Sequence, residues 1–161
     1  MDLVTGATGF IGQRLLARLR REGREVRALL RRSSVPAAEV VLADLGDPAG
    51  LAVACSGVER VFHCAGHAHA FASLSGADSE EHWRVNFAGT RNLVEAAGRA
   101  GVQRFVFLST VKAMAEPGES CADEMFPGLP ATAYGQSKRA AEGAVLAAGS
   151  RHRMHVVNLR L

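Results

Sequence analysis

The sequence predicts an α/β fold, a doubly wound parallel sheet flanked by helices, formed by residues 1–161 as one domain. Two observations support this prediction. Short apolar segments alternate with longer amphipathic ones along the chain, in the order expected of strands joined by crossover helices. Some apolar segments are continuous, as in Phe105-Val106-Phe107-Leu108, which is typical of parallel strands that are covered on both faces.

The strands and helices follow in chain order from these patterns. The predicted strands lie at 3–4, 26–30, 40–42, 58–63, 105–108 and 156–161. An amphipathic helix follows the first strand. Asp47-Pro48 opens a brief helix, because Asp is a good N-cap and Pro suits a first turn. Two long helices are predicted over 79–99 and about 131–148.

A glycine-rich turn, Thr5-Gly6-Ala7-Thr8-Gly9-Phe10-Ile11-Gly12, joins the first strand to the first helix. In such a unit the first glycine permits the tight turn, the second lets a pyrophosphate approach the backbone, and the third lets helix and strand pack closely. The N–H groups that begin the helix then face the phosphates of a dinucleotide. A plain strand-to-helix turn is the alternative interpretation. The predicted cofactor contacts here are Gly6, Thr8, Gly9, Phe10, Ile11 and Gly12.

Composition and charge limit the classes of function and of binding partner that the sequence predicts. No membrane span is predicted, because the chain has no apolar run of about 18 residues. The N-terminus carries no signal-like segment and the three cysteines form no CxxC pair, which favours a cytoplasmic, reducing compartment. The net charge of +3 suits an anionic cofactor or substrate. Nucleic acid is a weaker interpretation, because the basic residues do not alternate with aromatic ones.

The octet TGATGFIG resembles the T-G-x-x-G-x-x-G motif of the extended short-chain dehydrogenase/reductase family, which includes nucleotide-sugar epimerases and dehydratases. The resemblance implies a Rossmann domain that binds NAD or NADP. Members of this family continue for about as long again and build a substrate-binding lobe from their C-terminal part. It therefore implies that residues 1–161 are the cofactor domain of a longer protein.

The residues after the second and third strands indicate which cofactor is bound and where its adenine lies. NAD-binding folds place an acidic residue after the second strand, whereas this chain has Arg31 and Arg32. Two guanidinium groups suit the additional phosphate of NADP, which is therefore preferred over NAD; a solvated basic turn is the alternative. By resemblance, Asp44 and Leu45 lie beside the adenine, although Asp44 alone equally suits an Asx turn.

Two further segments are similar to motifs of the same family. His63-Cys64-Ala65-Gly66 resembles H-x-A-A, in which small residues let the backbone approach the nicotinamide ribose. The similarity implies cofactor contacts at Cys64, Ala65 and Gly66. Asn86 begins an N-x-x-G-T signature that lies near the cofactor in the family.

Tyr134 and Lys138 form a Tyr-x-x-x-Lys motif at a predicted helix start, and the i, i+4 spacing places both on one face. A phenol has a pKa near 10, and a neighbouring ammonium group together with the oxidised nicotinamide ring would lower it toward neutrality. Both residues are predicted to act in catalysis and to contact the cofactor. By resemblance, Thr110 hydrogen-bonds the reacting substrate oxygen and Ser109 lies next to the nicotinamide.

These residues predict hydride transfer at a carbon that bears a hydroxyl or keto group, with Tyr134 as acid/base and Thr110 orienting the oxygen. Similarity to bacterial NDP-sugar epimerases and 4-keto-sugar reductases implies a nucleotide-sugar substrate, with Lys112 and His69 as further candidate contacts. An NADP-dependent reductase of a non-sugar ketone and a non-catalytic redox sensor remain alternatives.

No metal site is predicted, because no carboxylate or cysteine set completes the histidines at 63, 67 and 69 at a recognised spacing. The resemblance also implies a homodimer that packs through the two long helices.

Overall fold

A computed structural model describes residues 1–32, 39–68, 76–115, 123, 126 and 128–161. Its six strands form one parallel sheet in the order β3-β2-β1-β4-β5-β6. The strands are β1 Asp2–Thr5, β2 Val26–Leu30, β3 Glu39–Leu42, β4 Arg60–His63, β5 Arg104–Ser109 and β6 His155–Arg160. The chain winds outward from β1 in both directions, so the predicted doubly wound α/β fold is confirmed.

Five α-helices connect these strands in the described part of the chain: α1 Phe10–Arg21, α2 Pro48–Cys55, α3 Gly76–His82, α4 Thr90–Arg99 and α5 Ala133–His152. As predicted, Asp47 is the N-cap of α2, and its side chain accepts a hydrogen bond from the backbone N–H of Ala49. Thr132 caps α5 in the same way, accepting from the N–H of Gly135. The helix predicted over 131–148 therefore begins two residues later and ends four residues later.

The first long helix is not the single α-helix that the sequence predicted over 79–99. It begins at Gly76 and is divided by a π-helical segment, Trp83–Gly89, between α3 and α4. Periodicity of apolar residues did not reveal this segment, because one wider turn changes the spacing only locally. π-helical turns are rare and occur often at functional sites.

Two apolar layers hold the sheet between its helices. On one face Leu3 packs with Phe105 and with residues of α2, α4 and α5. On the other face Val4 packs with Leu16 and Leu19 of α1. Successive residues of β1 thus serve opposite layers, and this double coverage explains why strands of this chain read as continuous apolar runs.

A buried imidazole joins the two halves of the sheet. His63, at the end of β4, is fully buried, with Nδ1 2.6 Å from the hydroxyl of Thr5 and Nε2 2.8 Å from that of Thr90. Burial, together with the smaller effect of the positive charge of Lys138, lowers the pKa of His63 to about 3. The ring is therefore neutral and connects β1, β4 and α4 through hydrogen bonds.

Candidate active site

The glycine turn after β1 has the geometry that the sequence predicted. Gly6 has a φ of +66°, which favours glycine, and its carbonyl accepts a 2.9 Å hydrogen bond from the N–H of Gly9. A Cβ added to Gly12 would lie 2.1 Å from the carbonyl oxygen of Gly6. Only a glycine at position 12 therefore lets the first turn of α1 pack directly against the preceding loop.

The ends of β1 and β4 also come close together at this turn. A Cβ on Gly6 would lie 2.6 Å from the backbone nitrogen of Ala65, and the Ala65 N–H donates to the Thr5 hydroxyl over 3.2 Å. The strand order changes direction between β1 and β4, the point at which open α/β sheets bind their ligands.

A cavity of about 650 Å³ opens at this point along the carboxyl ends of the strands. It is large enough for a substantial part of a dinucleotide. Ten residues that the sequence assigned to the cofactor line it: Gly6, Thr8, Gly9, Arg31, Arg32, Asp44, Leu45, Cys64, Ala65 and Gly66. The predicted motifs after the first four strands thus meet in a single cavity. Its small residues and guanidinium groups fit an extended, anionic dinucleotide.

The structure also shows lining residues that sequence reasoning missed. Arg84 lines the cavity from the π-helical segment, and its guanidinium group binds the Glu81 carboxylate over 2.6 Å. The same guanidinium lies 3.9 Å from Asp44. Asn92 fixes the adjoining loop by donating to the Leu45 carbonyl over 3.1 Å. No short motif contains these residues, which come from the helical face that the π-turn and α4 turn toward the sheet.

Three residues assigned to the glycine turn do not line the cavity with their side chains. Phe10 is 73% exposed and packs under the Arg14 guanidinium, which lies 3.7 Å from its ring centre. Ile11 is also exposed, and Gly12 is buried against the preceding turn. Any cofactor contact from Phe10 and Ile11 would therefore come from the backbone N–H groups at the start of α1.

Asn86 is buried and holds a loop in place. Its Oδ1 accepts from the N–H of His67 over 2.7 Å, and its Nδ2 donates to the carbonyl of the same residue over 2.9 Å. Both hydrogen-bonding ends of the amide are thus committed to the segment after β4. The structure supports a role in shaping the cofactor cavity rather than a direct contact from this side chain.

At the carboxyl end of β5, burial raises the pKa of Tyr134, and the neighbouring Thr110 hydroxyl offsets part of that rise. The Thr110 hydroxyl also accepts from the N–H of Lys112 over 3.3 Å. The ring of His82 lies 5.4 Å from the Tyr134 ring. The two residues predicted to handle the substrate oxygen are therefore neighbours.

Lys138 is buried between the ends of β4 and β5. Its Nζ donates to the carbonyl of Leu108 over 2.5 Å and lies 4.2 Å from the centre of the Phe107 ring. Burial lowers the pKa of Lys138 to about 8, while Glu142 and Cys64 act in the opposite direction. Nζ also lies 3.9 Å from the position that a Cβ on Gly66 would occupy, which brings it to the edge of the cofactor cavity.

The sequence predicted that the Lys138 ammonium group and an oxidised nicotinamide ring together lower the pKa of Tyr134, whereas in the structure Lys138 has no such effect. Burial raises the pKa of Tyr134, and Lys138 is not among the groups that shift it. The reason is the direction of the ammonium group, which is bound to the Leu108 carbonyl. Thr110 is the group that favours the phenolate form in this arrangement.

Ser109 was predicted to lie next to the nicotinamide, and the structure shows where its side chain is directed. It is buried, and its hydroxyl donates to the Glu142 carboxylate over 2.6 Å. The side chain thus points toward α5 rather than into the cavity. Two further residues were predicted as candidate substrate contacts. Lys112 lies two residues after Thr110 in the chain, and His69 lies outside the described residues.

His67, Asp78 and His82 form a polar cluster beside Tyr134 that the sequence did not reveal. Their potential ligand atoms lie within 4.8 Å of one another, which is compatible with a metal ion. His67 Nε2 is 2.8 Å from the Asp78 carboxylate, and His82 Nδ1 is 3.2 Å from the His67 carbonyl oxygen. Hydrogen bonds account for this arrangement. His63, which the sequence placed near these histidines, is instead bound to Thr5 and Thr90.

Comparison with known proteins agrees with this geometry. The chain is 38% identical over 153 residues to sterol demethylase protein B of Methylococcus capsulatus, covering 89% of this chain and 45% of the relative. It is 38% identical to a putative dihydroflavonol 4-reductase of Synechocystis, covering 90% of this chain and 44% of the relative. The chain thus spans less than half the length of these two relatives.

A solved structure of MoeE5 in complex with UDP-glucose and NAD superposes with a TM-score of 0.84 at 32% identity, covering 98% of this chain and 52% of that chain. The sequence model of the NAD dependent epimerase/dehydratase family matches residues 3–161. The resemblance inferred from the motifs is thereby confirmed, and the chain belongs to the NAD dependent epimerase/dehydratase family.

Proposed function

We propose that this chain is the cofactor-binding and proton-transferring part of an NAD(P)-dependent oxidoreductase or epimerase that acts on a nucleotide sugar. The observation that carries the proposal is the proximity of Tyr134 and Thr110, whose hydroxyl lowers the pKa of the phenol, together with Lys138 one helical turn away at the edge of the cavity. The UDP-glucose and NAD bound by MoeE5 support the substrate class.

The chemistry follows from the positions of these groups. A bound nicotinamide supplies the hydride acceptor or donor. The Tyr134 hydroxyl takes or returns the proton of the substrate oxygen, and Thr110 orients that oxygen through its hydroxyl. The Lys138 ammonium places a positive charge at the cavity edge beside Gly66, where a ribose hydroxyl can accept its hydrogen bonds.

NADP is the preferred cofactor in this proposal, and the prediction rests on Arg31 and Arg32. Both side chains are exposed at the end of β2 and line the cavity. Replacing both with Gln is expected to weaken NADPH binding by about 100-fold or more, because each of the two lost charge-assisted contacts removes roughly 1.5–3 kcal/mol. NADH binding should change little. Fluorescence titration of each reduced cofactor measures the two affinities.

Arg21→Gln is the matched control, because this arginine is exposed in the last turn of α1 and does not line the cavity. An equal loss of NADH and NADPH affinity in the double variant would contradict the proposal that Arg31 and Arg32 bind the additional phosphate of NADPH. It would leave a general electrostatic effect on anions as the explanation.

Reduction of a non-sugar ketone is the second candidate function. The names of the sterol and dihydroflavonol relatives favour it, since both proteins are 38% identical to this chain. The sensor alternative has less support, because a protein that only senses cofactor has no need for the paired hydroxyls of Tyr134 and Thr110.

Turnover by the whole protein distinguishes the candidates. We expect product from a UDP- or dTDP-linked hexose and none from a sterol or flavonol ketone of similar size. Chromatography of the sugar product and the absorbance of the reduced cofactor are measured together. Epimerisation leaves that absorbance unchanged over many turnovers, whereas reduction consumes it in proportion to product. Turnover with the apolar ketone alone would overturn the sugar assignment.

The homodimer through the long helices and the cytoplasmic location stay predictions. Leu146 is 55% exposed on α5, which gives that helix an apolar surface position available to a second copy. Sedimentation equilibrium of the whole protein checks the dimer.

None of the helices among the described residues has the length and apolar character needed to cross a membrane.

A further inference from the structure

Glu142 is a buried carboxylate that the proposed reaction does not use directly. It lies one helical turn after Lys138 on α5 and is 4% exposed. Burial of a carboxylate is costly unless hydrogen bonds and an opposite charge compensate for it. Its partners therefore indicate what its position stabilises.

Those partners come from the two neighbouring strands. The Ser109 hydroxyl, at the end of β5, donates to Glu142 Oε1 over 2.6 Å. Arg160 of β6 donates to both carboxylate oxygens, over 3.0 Å to Oε1 and 2.8 Å to Oε2. Ser109 and Arg160 are paired in the register of the two strands. Glu142 thus binds adjacent positions on β5 and β6 at once.

Lys138 and Glu142 together hold successive residues of β5. Lys138 donates to the carbonyl of Leu108, and Glu142 accepts from the side chain of Ser109. The next residue is Thr110, whose hydroxyl lowers the pKa of Tyr134 and forms with it the proposed proton-transfer pair. The end of β5 is therefore attached to α5 at two consecutive positions directly before this pair.

We propose that Glu142 is a positioning residue, which fixes the end of β5 against α5 and holds a negative charge one helical turn from Lys138, at the edge of the cofactor cavity. This inference rests on the proposed function, because it gives Glu142 a role in preparing the Tyr134, Thr110 and Lys138 arrangement. Glu142 does not line the cavity, and so its effect reaches the reacting atoms through Lys138 and Thr110.

The charges around Lys138 support this assignment. The titratable groups that face it from the packed elements are Glu142 of α5, His63 and Cys64 at the end of β4 and, behind Glu142, Arg160 of β6. Burial raises the pKa of Cys64 to about 11 and lowers that of His63 to about 3, so both are neutral near pH 8. Among these described groups, Glu142 supplies the negative charge that opposes loss of the Lys138 proton.

Residues 1–161 contain two lysines, Lys112 and Lys138. Labelling the whole protein with ε-¹³C lysine gives one NMR signal for each lysine, and the signal that a Lys138→Arg variant lacks is that of Lys138. We expect Lys138 to titrate near pH 8 in the unaltered protein. In Glu142→Gln its pKa should fall by about one pH unit, a tenfold loss of proton affinity, because an opposite charge close by is removed.

Glu95→Gln is the matched control. It removes a carboxylate of α4 that pairs with Arg151 and His152 at the far end of α5, and it should leave the titration of Lys138 unchanged. A Lys138 pKa that stays the same in Glu142→Gln would overturn the proposal. The titration needs no substrate, so this failure is distinct from an absence of turnover, which would count against the proposed function instead.

A double variant covers the case in which Glu142→Gln does not fold. Glu142→Gln with Arg160→Met removes both charges and leaves no buried guanidinium group unpaired. Arg160 is not among the groups that shift the pKa of Lys138, and so the pKa should still fall. The same titration of a folded double variant with no change would also overturn the proposal.

Discussion

Replacing Tyr134 with Phe is expected to lower turnover by about 10²–10⁴-fold, the usual contribution of general acid–base catalysis. The variant loses the hydroxyl whose pKa Thr110 lowers and keeps the ring that packs against His82. NADPH affinity should remain within about twofold, because the phenol does not line the dinucleotide cavity. Steady-state rates with the preferred substrate and fluorescence titration of NADPH measure the two effects separately.

Trp83→Phe is the control for this variant. It also removes a polar atom from an aromatic side chain, but Trp83 is 38% exposed and packs edge-on against Phe87 on the helix surface. Its turnover should match that of the unaltered protein. If Tyr134→Phe retained most of its activity, Tyr134 would not be the acid/base and the proposed function would lose its central residue.

Gly12→Ala is expected to destabilise the fold by about 1–3 kcal/mol and to weaken NADPH binding by about tenfold or more. The added methyl group would lie 2.1 Å from the Gly6 carbonyl oxygen, a backbone atom that cannot rotate away. The turn must therefore shift, and the N–H groups that face the phosphates shift with it. Urea unfolding measures the free energy of unfolding, and calorimetric titration measures the affinity.

Gly143→Ala provides a matched comparison within α5. This glycine is also helical, but a Cβ on it would meet no atom within 4 Å. The substitution should stabilise the protein by about 0.5–1 kcal/mol, because alanine has the better helix propensity. A similar gain for Gly12→Ala would mean that the close approach at the glycine turn does not constrain the fold.

Most of the fold could be predicted because its signals are local. The apolar run that became β2 has the predicted bounds, and Asp47 caps α2 as its side-chain chemistry requires. The glycine turn was predictable for the same reason, since backbone conformation and close packing at Gly6 and Gly12 require that residue. Each of these features depends on a few adjacent residues.

The remaining features depend on contacts between distant segments. Arg84 reaches the cofactor cavity because the chain forms a π-turn at Trp83–Gly89, which no spacing of apolar residues indicates. Ser109 points toward Glu142 because β5 packs on α5 in one particular register. Sequence similarity places Ser109 near the cofactor, but only the packing of the helix determines which way its hydroxyl turns.

The neutral ring of His63 makes the fold sensitive to acid. An unfolded histidine has a pKa of about 6.5, whereas the buried one has a pKa of about 3. Below about pH 6.5 this histidine is therefore protonated in the unfolded chain but stays neutral in the native protein. The free energy of unfolding consequently decreases as the pH falls from 6.5 toward 3. Acidification therefore lowers the stability of the junction at which His63 connects β1, β4 and α4.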